Sequence, residues 1–169
     1  GSEPETISFM AGYASHLILD ETWVTTVFRP NFGRGGRLSR FSSDSNLIWD
    51  RALQLGLDRM FWESMNPYIN ELKGYNYPNN ISFLKEEPVE EWRSWILRLL
   101  DAEFSWNRLR FMANRIARGD SSHPVIGMAE EFLSDPDAGF EEILGKIPKN
   151  SIEEFSYLAQ NNIAKLVSG

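Results

Sequence analysis

Along most of the chain apolar residues recur at spacings of three and four, and no strand-like apolar–polar alternation competes with them. Phe9, Tyr13, His16, Asp20, Trp23 and Val27 keep this rhythm over about residues 6–28. A period near 3.6 puts such positions on one helical face, whereas a strand needs a period of two. The expected fold class is therefore all-α, an irregular multihelical bundle. A length of 169 residues suits a single helical domain with a sizeable core. No Met precedes Gly1 and Ser2, so those residues are also compatible with a fragment of a longer protein.

Local chemistry divides the helices. Pro30 should end the first one, and residues 29–45, rich in Gly, Arg and Ser, read as a mobile loop. A second helix is expected over about 46–72, opened by Asp44 or Ser45 and bent or divided at Pro67, with Leu47, Ile48, Leu55, Phe61, Trp62 and Ile69 inward. The turn-forming run from Gly74 to Asn80 then leads to Pro88, well suited to a helix start. From Val89 to Arg118 Trp92, Ile96, Leu99, Trp106, Leu109, Met112 and Ile116 predict one long helix, open to interruption between Asp101 and Ser105 and stopped by Gly119. Three shorter helices follow, with start signals at Ser122 and Pro124, Asp135 and Pro136, and Ser151 with Glu154. Most of the six tryptophans fit core positions, although Trp92 and Trp95 cannot both point straight inward.

Composition narrows the function. With 24 acidic against 17 basic residues the formal charge is −7, which disfavours nucleic acid and anionic lipid as general partners. No apolar run reaches the roughly 18 residues that suggest a transmembrane helix. A soluble and rather cytoplasmic protein is favoured. The absence of cysteine removes disulfides, thiolate metal sites and thiol nucleophiles.

One segment carries potential chemistry: Gly12-Tyr13-Ala14-Ser15-His16-Leu17-Ile18-Leu19-Asp20-Glu21. His16 and Asp20 are one helical turn apart on an otherwise apolar stripe, so both are expected to point inward and to reach one divalent ion. The same pair equally suits a buried hydrogen bond tying two helices together. The pattern Gly-Tyr-x-Ser-His-x-x-x-Asp-Glu resembles a helix of the zinc-dependent phospholipase C and S1/P1 nuclease-like metallohydrolases. The likeness covers about twenty residues. It implies zinc as cofactor, His16 and Asp20 as metal ligands, and water attack on a phosphoester. Those clusters use several histidines, whereas this chain has His16 and His123 alone. His123 could be a third ligand or a loop side chain, and Glu21 could act as a base only if its helix edge faces the pocket.

Directly downstream, Gly33-Arg34-Gly35-Gly36-Arg37 offers amides and guanidinium groups suited to phosphate, so Arg34 and Arg37 are the candidate substrate-binding residues. A solvent loop accounts for the same residues. Two functions follow. One is a metal-dependent phosphoester hydrolase, with or without a complete catalytic site, acting on a small phosphoester. The other is a non-enzymatic helical module that binds another protein chain or an apolar ligand, and expects an exposed apolar patch or pocket. Anion binding by the arginine loop without metal is a third.

Overall fold

A computed structural model describes residues 4–38, 43–74, 81 and 83–168. These residues contain eight α-helices and no strand, as the apolar period predicts. They are α1 (Pro4–Trp23), α2 (Ser43–Phe61), α3 (Asn66–Gly74), α4 (Glu86–Asp101), α5 (Arg108–Ala117), α6 (Pro124–Ser134), α7 (Pro136–Lys146) and α8 (Ser151–Ser168). A π-helix, Val24–Phe32, continues α1, and a 3₁₀ turn, Trp62–Met65, joins α2 to α3.

Pro30 does not end the first helix. It sits inside the π-helix, whose wider turn gives its ring more room beside the preceding carbonyls. Side chains prepare this widening. The hydroxyls of Thr22, Thr25 and Thr26 donate to the carbonyls of Ile18 (2.6 Å), Glu21 (2.8 Å) and Thr22 (2.6 Å), and buried Asn31 donates to Val27 (2.8 Å). Such back-bonding competes with the α-helical ladder and bends it. Val27 and Phe32, five residues apart, are both buried. An α-helix would set them about 140° apart, whereas π hydrogen bonds from i to i+5 stack them on one face.

The segment after the π-helix is built rather than mobile as far as Leu38. Gly33 donates its amide to Phe28, Arg37 to Pro30 and Leu38 to Asn31, and Leu38 is buried. Gly36 permits this return, because a Cβ there would lie 2.9 Å from the carbonyl oxygens of Arg29 and Asn31. The sequence signal of glycine and arginine thus marks a tight fold-back. Residues 39–42 lie outside the described residues, and Arg40 with them; so does most of the Gly74–Asn80 turn.

One core joins the π-helix to α2, α5, α6 and α7, through Val27, Phe32, Ile48, Leu53, Leu55, Leu109, Val125, Phe132 and Ile143. Trp106, partly buried, packs against this core, with ring centroids 5.4 Å from Phe104 and from Phe132. The predicted inward positions Ile48, Leu55 and Ile69 are buried, but Phe61 is exposed at the α2 terminus. Pro67 divides the second helix as expected, leaving Asp44 and Ser45 within the first turn of α2. The long helix expected over 89–118 is two helices, broken across 102–107. Arg108 secures that break: its guanidinium lies 4.3 Å from the Trp62 ring centroid and donates to the Leu99 carbonyl at 3.0 Å.

Later boundaries follow the predicted signals closely. Arg118 and Gly119 take left-handed backbone at the end of α5. Asp135 caps α7 by accepting the Ala138 amide at 3.2 Å, and His123, rather than Ser122, caps α6 by accepting from Val125 through Nδ1 at 3.3 Å. Asn150, ahead of Ser151, supplies the carbonyl that receives the Glu154 amide.

Close packing of α2 on α7 gives a direct test. A Cβ on Gly56 would come within 2.1 Å of the Phe140 ring. Gly56→Ala should therefore destabilise the fold by about 1–3 kcal/mol, read from urea unfolding, and a change near zero would show that the ring has room to move.

Candidate docking face on the first helix

Helix α1 packs on α8 through its smaller side chains. Ala11, Ala14, Ser15 and Ile18 are half-buried and Thr22 is buried, and the adjoining groove is completed by Leu158 and Asn162 of α8. The larger apolar residues lie elsewhere. Met10, Tyr13 and Leu17 are 47–52% exposed and, within about 60° of one another, make one ridge, while exposed Ile7 lies at the start of the α8-facing stripe. Small residues let two helices approach closely, so the more hydrophobic stripe is the one left outside.

This reverses the expected orientation of His16 and Asp20. Their side chains are 67% and 63% exposed, and neither points into the core. The imidazole Nε2 lies 3.3 Å from an Asp20 carboxylate oxygen, an exposed i,i+4 pair of small energetic weight. The stripe of Phe9, Tyr13, His16 and Asp20 shares one outward face. Phe9 stacks against Tyr13 with centroids 6.3 Å apart, and meets Phe83 edge-on at 6.2 Å. Phe83, itself exposed, extends the aromatic surface towards α4.

The pair does not form a metal centre by itself. Among the described residues no group of three or more His, Asp or Glu converges on a common point. Catalytic zinc usually keeps three protein ligands and structural zinc four, so one imidazole and one carboxylate are too few. His123 is committed elsewhere: it caps α6, and its Nε2 lies 3.8 Å from Asp44. Arg34 and Arg37 are exposed on the fold-back loop, and no hydrogen bond or ion pair among the described residues joins them to His16 or Asp20. Glu21 lies on the groove beside Thr22 and Thr25.

A buried polar contact that the sequence reading overlooked anchors the end of α1. The Trp23 indole donates to Asp50 at 2.9 Å, and Gln54 donates to the other carboxylate oxygen at 2.9 Å. Asp50 is almost wholly buried, with Arg51 at 3.9 Å. Burial raises its carboxyl above the ordinary aspartate range, against the opposing pull of Trp23, Arg51 and Gln54. The available signal was an aspartate between buried Ile48 and Ala52 on α2, a position that demands donors from a neighbouring element.

A scan against protein-family models, a search of curated proteins and a search of solved structures each find no match to this chain. The geometry of its own residues therefore carries the functional reading.

Asp50 makes two measurable predictions. Asp50→Ala strands the Trp23 and Gln54 donors and should cost about 2–4 kcal/mol in urea unfolding, whereas Asp50→Asn should cost less. A raised native pKa means that the folded state holds the Asp50 proton more tightly than the unfolded state does. Wild-type stability relative to Asp50→Asn should therefore fall as pH rises from the ordinary aspartate value through the raised one. A difference that stays flat with pH would show that the two states share one pKa.

Proposed function

We propose that this chain is a non-enzymatic helical docking module, and that the outer face of α1 receives a helix of another protein chain. The carrying observation is the ridge of Met10, Tyr13 and Leu17, three large apolar side chains exposed on one face. A contiguous exposed apolar surface of this kind marks an interaction site far more often than scattered single residues do. The spacing of the ridge suits an amphipathic helix laid along it. The only charges on α1 apart from His16 are acidic, at Glu5, Asp20 and Glu21.

One observation favours a second reading, the metal-dependent phosphoester hydrolase. His16 and Asp20 sit on the docking face within 3.3 Å of each other, so an arriving segment with further His or carboxylate groups would complete a zinc site there. In that case the exposed pair contributes two of the ligands, and the exposed Arg34 and Arg37 remain available to a phosphate.

A Tyr13→Ser, Leu17→Ser double variant separates docking from core function. Its unfolding free energy should fall by no more than about 1 kcal/mol, because both side chains remain about half exposed in the folded chain. A photo-crosslinker at position 10 in the native cells should give one discrete protein adduct that the double variant abolishes. A large loss of stability, or an adduct untouched by the double variant, would overturn the docking role. Elemental analysis addresses the second reading: one zinc per chain, lost in both His16→Ala and Asp20→Ala, would place the metallohydrolase first.

A further inference from the structure

Helix α4 stands apart from the core. Among the described residues it packs on α3, and none of its side chains is fully buried. Val89, Arg93, Ile96 and Leu100 form the half-buried face, held by an Arg93 donation to the Leu72 carbonyl at 3.3 Å and by the Lys73–Asp101 ion pair. The adjoining face, about 100° round the helix, carries Pro88, Trp92, Trp95 and half-buried Leu99 at steps of four, three and four. Trp92 is 63% and Trp95 47% exposed.

An acidic row borders this stripe. Glu87 and Glu91, one turn apart, are exposed and make no ion pair among the described residues, whereas Glu90 is paired with Arg93 at 3.1 Å. Glu87, Glu90, Glu91, Ser94 and Arg98 line a shallow cleft along the same side, with Arg98 its one base, near the C-terminal end of the helix. Two tryptophans beside two uncompensated carboxylates form a surface that is apolar in the middle and negative at one edge.

We propose that this face of α4 docks a basic amphipathic helix of a partner protein, its apolar side on Trp92, Trp95 and Leu99 and its Lys or Arg residues against Glu87 and Glu91. Exposed tryptophan is a frequent anchor of such interfaces, and complementary charge fixes register and speeds encounter. A second copy of this chain would bring like charges together, and an anionic membrane would be repelled by the same glutamates. The inference concerns a different helix from the α1 ridge and does not depend on it.

The test titrates the full chain against two fluorescent amphipathic peptides with one leucine stripe, flanked by Lys in one and by Glu in the other. Anisotropy at low salt should show the Lys peptide binding about tenfold more tightly, a preference that salt weakens. Glu87→Lys with Glu91→Lys should reverse the preference. Trp92→Ser with Trp95→Ser should abolish binding while the thermal unfolding curve is retained, and the Tyr13→Ser, Leu17→Ser variant should bind as wild type does. Equal affinity for both peptides, no binding of the Lys peptide, or binding that survives loss of both tryptophans would overturn the proposal. So would loss of binding in the α1 variant, a homodimer broken by the tryptophan changes, or preferential binding to anionic phosphatidylserine vesicles.

Discussion

Val27 and Phe32 lie five residues apart in the chain and are both buried in the core between the first helix and α2. An α-helix cannot turn both towards one partner, because five steps of 100° leave them on different sides. The π register brings them together, and the threonine and asparagine back-bonds satisfy carbonyls that the widened ladder would otherwise leave exposed. The fold-back of Gly33–Leu38 then closes over the same turn, and Trp23, the last residue of α1, is fixed by Asp50 at its other end. Both α2 and α8 pack against this junction.

Helix existence was legible because it rests on local periodicity and on caps that act within a few residues. Pro124, Asp135 and Gly119 do in the structure what their chemistry suggests. Pro30 misled for a physical reason: a proline stops an α-helix through its i−4 clash, and burial of Val27, Asn31 and Phe32 favours a wider helix over a stop. The break at 102–107 was foreshadowed by the polar run from Asp101 to Ser105, but its anchor, Arg108 over Trp62, joins residues 46 positions apart and has no local signature.

The orientation of α1 was not legible, because the helix carries two usable faces. Its Ala11, Ala14, Ser15 and Ile18 face is weakly hydrophobic yet permits close approach to α8, while the Met10, Tyr13 and Leu17 face beside His16 and Asp20 is more hydrophobic and bulkier. Pattern reading ranks faces by hydrophobicity, whereas packing ranks them by how well they fit a neighbour. The same error applied to Trp92, which keeps helical spacing without facing the core; Trp95, not expected to point inward together with it, is exposed as well. His16 and Asp20 were consequently found at the right separation on the wrong side of their helix.

The division of labour between the helices has an energetic consequence. The π-helix, α2 and α5–α7 supply most of the buried apolar side chains, whereas the only fully buried residue of α1 is Thr22 and α4 has none. Helices in proteins draw most of their stability from packing of one face, and for α1 and α4 that packing is largely one-sided contact with α8 and α3. Elements with few buried contacts open at lower free energy than the global fold. A partner covering either outward stripe would therefore stabilise the helix it touches as well as gain its own buried area. The core can meanwhile remain folded with both faces bare, because it draws little of its stability from them.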